Sequence, residues 1–454
     1  MYASLSSYQA ARSPRRSPYC NAAIHHLFRL FEHRNIRASL FFRRSKDATP
    51  DREAYLGRVQ SITVMSKKPT IGFDAFFLEN PMTGMGQYAL HLWQEIRQCD
   101  DFNALLLMPA DAPDAVHGLA KGRAMAVSPP LGSRLPKKAR KLWWEQVGVT
   151  AAARRARVDL VHVPYFSAPV RQAVPYIVTV HDAIPFVLKE YAGGRAMGSY
   201  LKLVSRAVRG ARLILTDSLH SAGDIQRYLG IPSGRIRAIP LAVGSEFTPA
   251  SGGEDAARIE FLRERFGLTR PFVLNVGGFD RRKNLPALVE GFAMALPAVE
   301  QKTDLVIVGS PHSGNANVFP PLEPVINRHG LGDRVKLTGF VSEQDKLDLY
   351  RAATAFVFTS TYEGFGLNPL EAMACGTPVI SSNRSSLPEV VGDGGILIDP
   401  TPGEIAAALA VLLNDANLQE ALRKRGLEQA HTFSWSETAR QTVQAYRDVL
   451  DNER

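Results

Sequence analysis

Cysteine is scarce in this sequence: Cys20, Cys99 and Cys375 are the only three in 454 residues, and they lie far apart. Their spacing fits neither a disulfide framework nor a zinc site, so a reducing compartment is the default expectation. Long apolar runs are also lacking, because no segment approaches the roughly 18 residues that a membrane-spanning helix needs. The N-terminus has no continuous apolar core typical of a secretory signal. We therefore expect a cytoplasmic protein that does not cross a membrane by itself.

Excess charge is lacking in most of the chain. Residues 1–64 carry 11 Lys and Arg against 4 Asp and Glu, which accounts for +7 of the net +10 and leaves +3 for the remaining 390 residues. A nearly neutral body argues against nucleic acid as a partner. At 454 residues, with 45% apolar and 22% charged residues, the whole chain is long enough for two or three globular domains.

Two interpretations of residues 1–66 stay open. One is a basic, disordered extension, with Met65 as an alternative start of the product. The other is an amphipathic helix that rests on an anionic lipid surface. Its arginines would flank an apolar face formed by Ile24, Leu27, Phe28 and Phe31.

From Thr70 onward, short apolar runs alternate with helical patterns. The runs are apolar throughout, which is typical of parallel strands covered by helices on both faces. Strands are predicted at Thr70–Phe76, Ala104–Pro109, Leu160–Tyr165, Tyr176–Asp182 and Leu213–Ser218 in the first half. Six more are predicted at Pro271–Gly278, Asp304–Ser310, Arg334–Phe340, Ala355–Ser360, Pro378–Asn383 and Gly395–Pro400. The pattern predicts two tandem Rossmann-like, doubly wound α/β domains with a ligand cleft between them.

The stretch Phe247–Glu260 interrupts this alternation with Pro, Ser and paired Gly, and is interpreted as the interdomain linker. The predicted first domain covers residues 67–250, and the second covers residues 251–435. Ligands of doubly wound domains bind beyond the carboxyl ends of the strands. The residues that follow each strand are therefore the candidates for chemistry.

The stretch TYEGFGLNPLEAMACG contains two glutamates seven residues apart, Glu363 and Glu371. Asn368 as N-cap, Pro369 at the first helical position and Gly376 just past the end predict a helix. Glu371 lies three residues after Asn368, so one interpretation is that it reinforces the helix start as a capping-box residue.

Glu363 lies in the glycine-rich loop that precedes this helix. A glycine loop followed by a helix N-terminus is typical of an anion site, because backbone N–H groups and the helix dipole favour negative charge. A carboxylate beside an anion site makes sense when it holds hydroxyl groups. A ligand with both, such as a sugar phosphate or a nucleotide, is therefore predicted.

Basic residues follow another predicted strand. In Asn275–Leu288, two glycines precede Arg281, Arg282 and Lys283. These cations either form a solvated basic turn or neutralise a diphosphate, which arginine binds bidentately and lysine as a point charge. An anion site in the same domain favours the second interpretation.

Two features of the first domain are weaker signals. Gly84 and Gly86, in the loop after the first strand, either form a simple turn or bring backbone N–H groups close to a phosphate or sugar. His181 follows a strand in VTVHDAIP and is either structural or functional.

The basic and aromatic stretch Arg134–Gln146 also has two interpretations. Its lysines and arginines beside Trp143 and Trp144 suit a membrane interface or an acidic acceptor. Alternatively, the tryptophans begin a core-packed helix and the basic residues are its solvated lead-in.

With these residues in view, the chain from about Thr70 onward resembles the retaining glycosyltransferases of family 4, which have the GT-B architecture. The resemblance lies in EGFGLNPLEAMACGTPVISS, SSLPEVVGDGGILIDP, GGFDRRKN, TGMGQY and VTVHD. It implies that the first domain binds the acceptor and the second binds the nucleotide-sugar donor. It also implies that the last helix, residues 436–454, packs back on the first domain.

The resemblance also implies residue roles. Glu363 would contact the donor sugar and Glu371 the ribose, while Arg282 and Lys283 would stabilise the leaving phosphate and His181 would lie near the transferred sugar. Backbone contacts to the donor are implied for Gly84, Gly86, Phe365, Gly366 and Leu367. Many family members have Arg where this chain has Gly278, the residue after the first glycine of that loop. Charge stabilisation would then depend on Lys283 and its neighbouring arginines.

The implied reaction is transfer of a hexose, with mannose favoured, from a nucleoside diphosphate sugar to a glycan or lipid-linked acceptor. No cofactor and no metal are expected, since no Asp-x-Asp site follows a strand. Peripheral contact with the inner face of the membrane stays an expectation. Two other functions remain open: a nucleoside diphosphate sugar epimerase of the same fold, and a non-catalytic module that binds sugar nucleotides.

Overall fold

The computed structural model describes residues 68–81, 83–129, 136–310 and 316–453. Both interpretations of residues 1–66 lie outside the described residues, as does Arg134. Among the described residues, no helix is both long and apolar enough to cross a bilayer.

Seven parallel strands form the first sheet: β1 (Thr70–Asp74), β2 (Asn103–Pro109), β3 (Ala124–Val127), β4 (Leu160–Val163), β5 (Tyr176–Thr179), β6 (Leu213–Thr216) and β7 (Ile236–Ala238). Their order across the sheet is β3-β2-β1-β4-β5-β6-β7. The order reverses between β1 and β4, and ligands of doubly wound sheets bind at such a switch point.

Six parallel strands form the second sheet: β8 (Phe272–Val276), β9 (Asp304–Val308), β10 (Val335–Gly339), β11 (Ala355–Phe358), β12 (Val379–Ser382) and β13 (Gly395–Ile398). Their order is β10-β9-β8-β11-β12-β13, with the switch point between β8 and β11. The loops after these two strands contain Lys283 and Glu363, respectively.

Helices cover both sheets. Those of the first half are α1 (Gly84–Ile96), α2 (Asp114–Ala120), α3 (Lys137–Trp143), α4 (Val149–Ala156), α5 (Ile184–Val187), α6 (Arg195–Arg209) and α7 (Leu219–Leu229). Those of the second half are α8 (Gly252–Phe266), α9 (Leu285–Ala295), α10 (Glu323–Arg328), α11 (Glu343–Ala352), α12 (Leu367–Ala374), α13 (Leu387–Val391), α14 (Pro402–Asn414), α15 (Ala416–Ala430) and α16 (Trp435–Asn452). A π-helix covers Trp144–Gly148, and 3₁₀ turns cover Phe76–Glu79, Lys189–Tyr191, Ser233–Arg235, Arg281–Lys283, Leu296–Ala298 and Gly392–Gly394.

The predicted fold class is confirmed, and each of the eleven predicted strands has a counterpart in the structure. Fully apolar runs predict these strands well because helices bury both faces of each sheet. Strands β3 and β7 were not predicted from the sequence. Both are short edge strands that are mostly only partly buried, so they lack the apolar runs of the central strands.

The interpretation of all of Phe247–Glu260 as a linker is wrong, because helix α8 begins at Gly252. Glu254 and Asp255 occupy its first turn, where the helix dipole favours negative charge. The Asp255 carboxylate also accepts a hydrogen bond from the backbone N–H of Ser251, at 2.6 Å. The Ser and Gly residues therefore mark the start of a helix.

The last helix, α16, contacts α1 and the first sheet. The buried hydroxyl of Tyr446 lies 2.7 Å from Nδ1 of His162 on β4. Nearer the end of the helix, Asp448 forms a 2.6 Å ion pair with Arg237 on β7. At the start of the helix, the ring of Trp435 stacks on His91 with 4.9 Å between the ring centroids. The chain thus returns to the first sheet after completing the second.

The stretch around the paired tryptophans is largely part of the core. Trp144 is fully buried, and its indole N–H donates to the buried carboxylate of Asp74, at 2.8 Å. The prediction of a core-packed helix is confirmed for Trp144. The same prediction expected the basic residues to be solvated, and this is wrong for Arg140. Arg140 forms 2.8 Å ion pairs with both Glu79 and Asp111.

Candidate active site

The loops after β8 and β11 meet through an ion triad, which we define as Arg282, Lys283 and Glu363. The Lys283 ammonium lies 2.5 Å from Oε1 of Glu363, and an Arg282 guanidinium nitrogen lies 2.6 Å from Oε2. Lys283 is 7% exposed, and its ammonium lies 4.8 Å from the centre of the Phe358 ring. A buried charge of this kind is tolerated only when it is paired.

Opposing effects set the pKa values within the ion triad. Burial by itself raises the pKa of Glu363, but Lys283 and Arg282 outweigh burial and hold it below the usual value. For Lys283, burial is the largest effect, and it lowers the pKa even though Glu363 acts in the opposite direction. The carboxylate is therefore ionised at neutral pH, and its charge is matched by two cations. The family resemblance implies roles for these residues at separate parts of the donor, and their pairing with each other is not visible in the sequence.

Helix α12 begins at Leu367, two residues before the predicted first helical residue, Pro369. Its N-cap is Gly366, with φ +126°, and no side chain caps it. Gly366 is required there both by its backbone conformation and by space, since a Cβ atom would lie 2.8 Å from Leu387. The prediction that Asn368 is the N-cap is wrong, whereas Gly376 does follow the helix end, with φ +75°. The free N–H groups of the first turn make this helix start suitable for an anion.

Glu371 does not form a capping box. Its carboxylate accepts hydrogen bonds from the Tyr350 hydroxyl, at 2.8 Å, and from the Lys346 ammonium, at 3.1 Å. Burial raises the pKa of Glu371, and Lys346 and Tyr350 only partly offset this effect. The capping interpretation is therefore wrong. The carboxylate lines a cavity with its position fixed by two neighbours, which suits a residue that holds a ligand.

The first domain contributes His181. Its Nδ1 lies 2.9 Å from Asp217 and its Nε2 lies 3.3 Å from the backbone carbonyl of Pro164. Burial by itself lowers the pKa of His181, but the Asp217 carboxylate outweighs it, so the pKa lies above 6.5. Asp217 follows β6 directly, so inspecting residues at strand ends could have identified it from the sequence.

The two glycines of TGMGQY have different surroundings. A Cβ atom at Gly84 would meet nothing within 4 Å, and Gly84 lines the cleft. A Cβ atom at Gly86 would lie 2.1 Å from the carbonyl oxygen of Asn80, so packing alone requires glycine there. The backbone N–H of Gly86 donates to the side chain of Thr83, the N-cap of α1, at 3.1 Å. Gly84 is thus the one that faces the cleft.

The domains meet closely at Gly364, next to the ion triad. Its carbonyl oxygen accepts hydrogen bonds from the hydroxyls of Ser218, at 2.7 Å, and Ser221, at 3.0 Å. A Cβ atom at Gly364 would lie 2.4 Å from the carbonyl oxygen of His181. The Glu389 carboxylate of the second domain accepts from the first two N–H groups of α7, at 2.7 and 2.8 Å. The loop that contains Glu363 is thereby held from the opposite domain.

Two adjoining cavities lie in the cleft and share Gly84, Leu241, Leu367 and Asn368. The larger, about 450 Å³, lies between Glu363 and His181 and is also lined by Phe365 and Gly366. The smaller, about 270 Å³, is lined by Glu371 and Lys346. The start of α12 lies between the two glutamates. One ligand with an anionic centre and hydroxyl groups at both ends would fit this arrangement.

Other predicted residues lie outside these cavities. Gly86, Gly278, Arg282 and Lys283 do not line either cavity. Lys346 does line the smaller cavity, but no local motif indicates it, because it lies within helix α11 and not in a loop after a strand. Among the described residues, no three His, Cys, Asp or Glu side chains form a cluster that could hold a metal ion. The roles assigned to individual residues stay predictions.

We expect Asp217→Asn to shift the pKa of His181 from above 6.5 to below it, because burial would then dominate. An NMR titration of the imidazole resonance in the full chain measures this shift. In the unmodified protein, the contact stabilises the fold fully below about pH 6.5, and this contribution is lost as pH rises through the folded-state pKa. Unchanged titration in the variant would contradict the assigned contact.

Comparison with known proteins agrees with this geometry. Residues 82–247 match the model of glycosyltransferase family 4, and residues 258–429 match that of glycosyl transferases group 1. O-antigen chain mannosyltransferase B of Escherichia coli is 30% identical over 388 residues, which is 82% of this chain and 97% of that protein. Sucrose-phosphate synthase of Thermosynechococcus elongatus superimposes with a TM-score of 0.64 at 22% identity, over 85% of this chain and 100% of that one. Anabaena HepE in complex with UDP and glucose superimposes with a TM-score of 0.61 at 20% identity. The match covers 84% of this chain and 100% of that one. The chain therefore belongs to the family 4 glycosyltransferases, with a second half that matches the glycosyl transferases group 1 model.

Proposed function

We propose that this glycosyltransferase is a retaining hexosyltransferase that moves mannose from a nucleoside diphosphate sugar to a glycan or lipid-linked acceptor. The observation that carries the proposal is the pair of adjoining cavities, with the start of α12 between Glu363 and Glu371. A nucleoside diphosphate sugar has the matching order of groups: ribose hydroxyls, diphosphate and sugar hydroxyls. The preference for mannose is supported by the similarity to the Escherichia coli mannosyltransferase.

In the proposed complex, Glu371 accepts hydrogen bonds from the ribose in the smaller cavity. Lys346 and Tyr350 hold its carboxylate in place. The diphosphate binds at the start of α12, where free N–H groups and the helix dipole stabilise negative charge. The sugar lies in the larger cavity, between Glu363 and His181.

The charge that develops during the reaction accounts for a role of the ion triad beside the proposed diphosphate site. Cleavage of the glycosyl phosphate bond develops positive charge on the sugar and negative charge on the departing diphosphate. Donors fixed where the negative charge grows stabilise the transition state, and Arg282 and Lys283 are the nearby cations. For these cations to reach the diphosphate, Glu363 releases them in part and accepts sugar hydroxyls instead.

The acceptor hydroxyl attacks on the face that the leaving group vacates, and the leaving phosphate accepts its proton. The new glycosidic bond then has the configuration of the bond that is broken. This route needs neither a metal ion nor a second carboxylate acting as nucleophile, unlike the double displacement of retaining glycosidases.

The test uses the full chain and a panel of labelled nucleoside diphosphate sugars, with mannosides and membrane lipid extract as acceptors. We expect free nucleoside diphosphate together with a new mannoside whose anomeric configuration, measured by NMR, equals that of the donor. A product of inverted configuration would contradict retention. A changed sugar still attached to its nucleotide would support an epimerase instead, and binding without turnover would support a non-catalytic module.

We expect Lys283→Ala and Glu371→Gln each to lower sugar transfer about a hundredfold or more, because each loses a group held at the donor. Melting temperature and circular dichroism measure whether the variants stay folded. Matched controls are Lys424→Ala and Glu428→Gln, exposed residues of the same domain that should transfer sugar normally. Full activity in either site variant would refute its assignment.

We expect the double variant Ser218→Ala, Ser221→Ala to lower kcat/KM about tenfold, because two hydrogen bonds to the Gly364 carbonyl are lost. These bonds hold the loop that contains Glu363 against the first domain. Ser218→Ala also removes the N-cap of α7, where the Ser218 hydroxyl accepts from the backbone N–H of Ser221, at 3.1 Å, so the melting temperature is measured together with transfer. Steady-state kinetics measures kcat/KM, with the exposed Ser233→Ala as control. An unchanged kcat/KM would mean that this contact does not position the loop.

A further inference from the structure

A third cavity lies on the first domain, outside the cleft. It measures about 480 Å³ and lies among α5, the turn Lys189–Tyr191, α6 and α7. Three of its lining residues are cations, namely Lys189, Lys202 and Arg209, and no lining residue is acidic. The uncompensated positive charge distinguishes this cavity from the two in the cleft, where glutamates contribute to the lining.

Helix α6 is the source of most of this charge. Its sequence RAMGSYLKLVSRAVR has four basic residues and no acidic one. Arg195, Lys202, Arg206 and Arg209 are spaced by seven, four and three residues, which puts them on one face of the helix. All four are exposed, and none forms an ion pair with a described residue. Like charges along one helix face repel each other, so an anion bound here would relieve that repulsion.

Most of the remaining cavity wall is apolar; Ser205 also lines it, and its hydroxyl donates to the Leu201 carbonyl, at 2.7 Å. Phe186, Leu201 and Tyr228 line it together with Pro185. Pro185 also lines the larger cleft cavity, in which His181 and Glu363 lie. The third cavity thus adjoins the larger cleft cavity at Pro185. A ligand with its reactive end at His181 could extend over Pro185 into the third cavity.

We propose that the third cavity binds the phosphate group of a phosphate-bearing acceptor, with an apolar portion of that acceptor against Phe186 and Tyr228. This inference rests on the proposed function, since it supplies the second substrate of the same reaction. Lys189 and Lys202 contact the phosphate, and Arg209 adds to the field while its Nε donates to the Leu229 carbonyl, at 2.7 Å. The cations line a depression, which suits a single anionic group in a pocket better than a flat lipid surface.

The test uses isothermal titration calorimetry of the full chain with monomeric octyl phosphate, and with octyl glucoside as the uncharged comparison. We expect octyl phosphate to bind, octyl glucoside not to bind, and Lys189→Ala and Lys202→Ala each to weaken octyl phosphate binding about tenfold. The matched control is Arg206→Ala, which removes the same charge from the same helix at a residue that does not line the cavity. It should change the affinity less than about twofold.

Absence of octyl phosphate binding to the unmodified chain would overturn the proposal, as would equal losses in all three variants. Sedimentation with vesicles of phosphatidylcholine and phosphatidylglycerol separates a membrane surface from a pocket. Vesicle binding that Lys202→Ala and Arg206→Ala weaken equally, without binding of octyl phosphate, would assign the basic face to the membrane instead. A thermal shift of the same preparation with nucleoside diphosphates tests the donor site separately, so failure of either proposal can be recognised by itself.

Discussion

The pairing of Glu363 with Lys283 and Arg282 joins the loops that follow the two central strands of the second sheet. None of these charges could be buried there alone, because the loss of hydration would cost several kcal/mol per ion. Their mutual attraction fixes the position of the loop that contains Glu363, and this loop leads directly into α12. The start of α12 and the carboxylate of Glu371 are placed relative to this loop. A diphosphate that bound to Arg282 and Lys283 would have to replace part of their pairing with Glu363.

The first domain holds the same loop from the other side. Ser218 and Ser221 bond to the Gly364 carbonyl, and Glu389 caps the start of α7 across the cleft. The architecture therefore makes the position of the Glu363 carboxylate depend on contacts from both domains. Both cavities in the cleft are lined by residues of both domains.

The fold was accessible from the sequence because burial on both faces of a parallel sheet requires apolar runs, and those runs are visible in the sequence. The short edge strands β3 and β7 escaped detection for the same reason, since they are mostly only partly buried. The residue types that usually mark a helix start were less reliable at α12. Asn368 and Glu371 have the spacing of a cap, but Glu371 instead bonds to Tyr350 and Lys346, which approach it from α11. A cap is a local interaction, and a stronger partner from elsewhere in the chain displaced it.

Residue types and spacing alone therefore determined the two-domain α/β architecture, the family resemblance and the set of loops at which to look for the site. Tertiary structure decided that Glu363 pairs with Lys283 and Arg282, that Gly86 serves packing while Gly84 faces the cleft, and that Lys346 belongs to the site. It also decided that the cavity lined by Lys202 and Arg209 of α6 shares Pro185 with the larger cleft cavity. The physical reason is the range of the interactions. Strand and helix patterns arise from neighbours in the chain, whereas the pairing of buried charges depends on residues about eighty positions apart, such as Lys283 and Glu363.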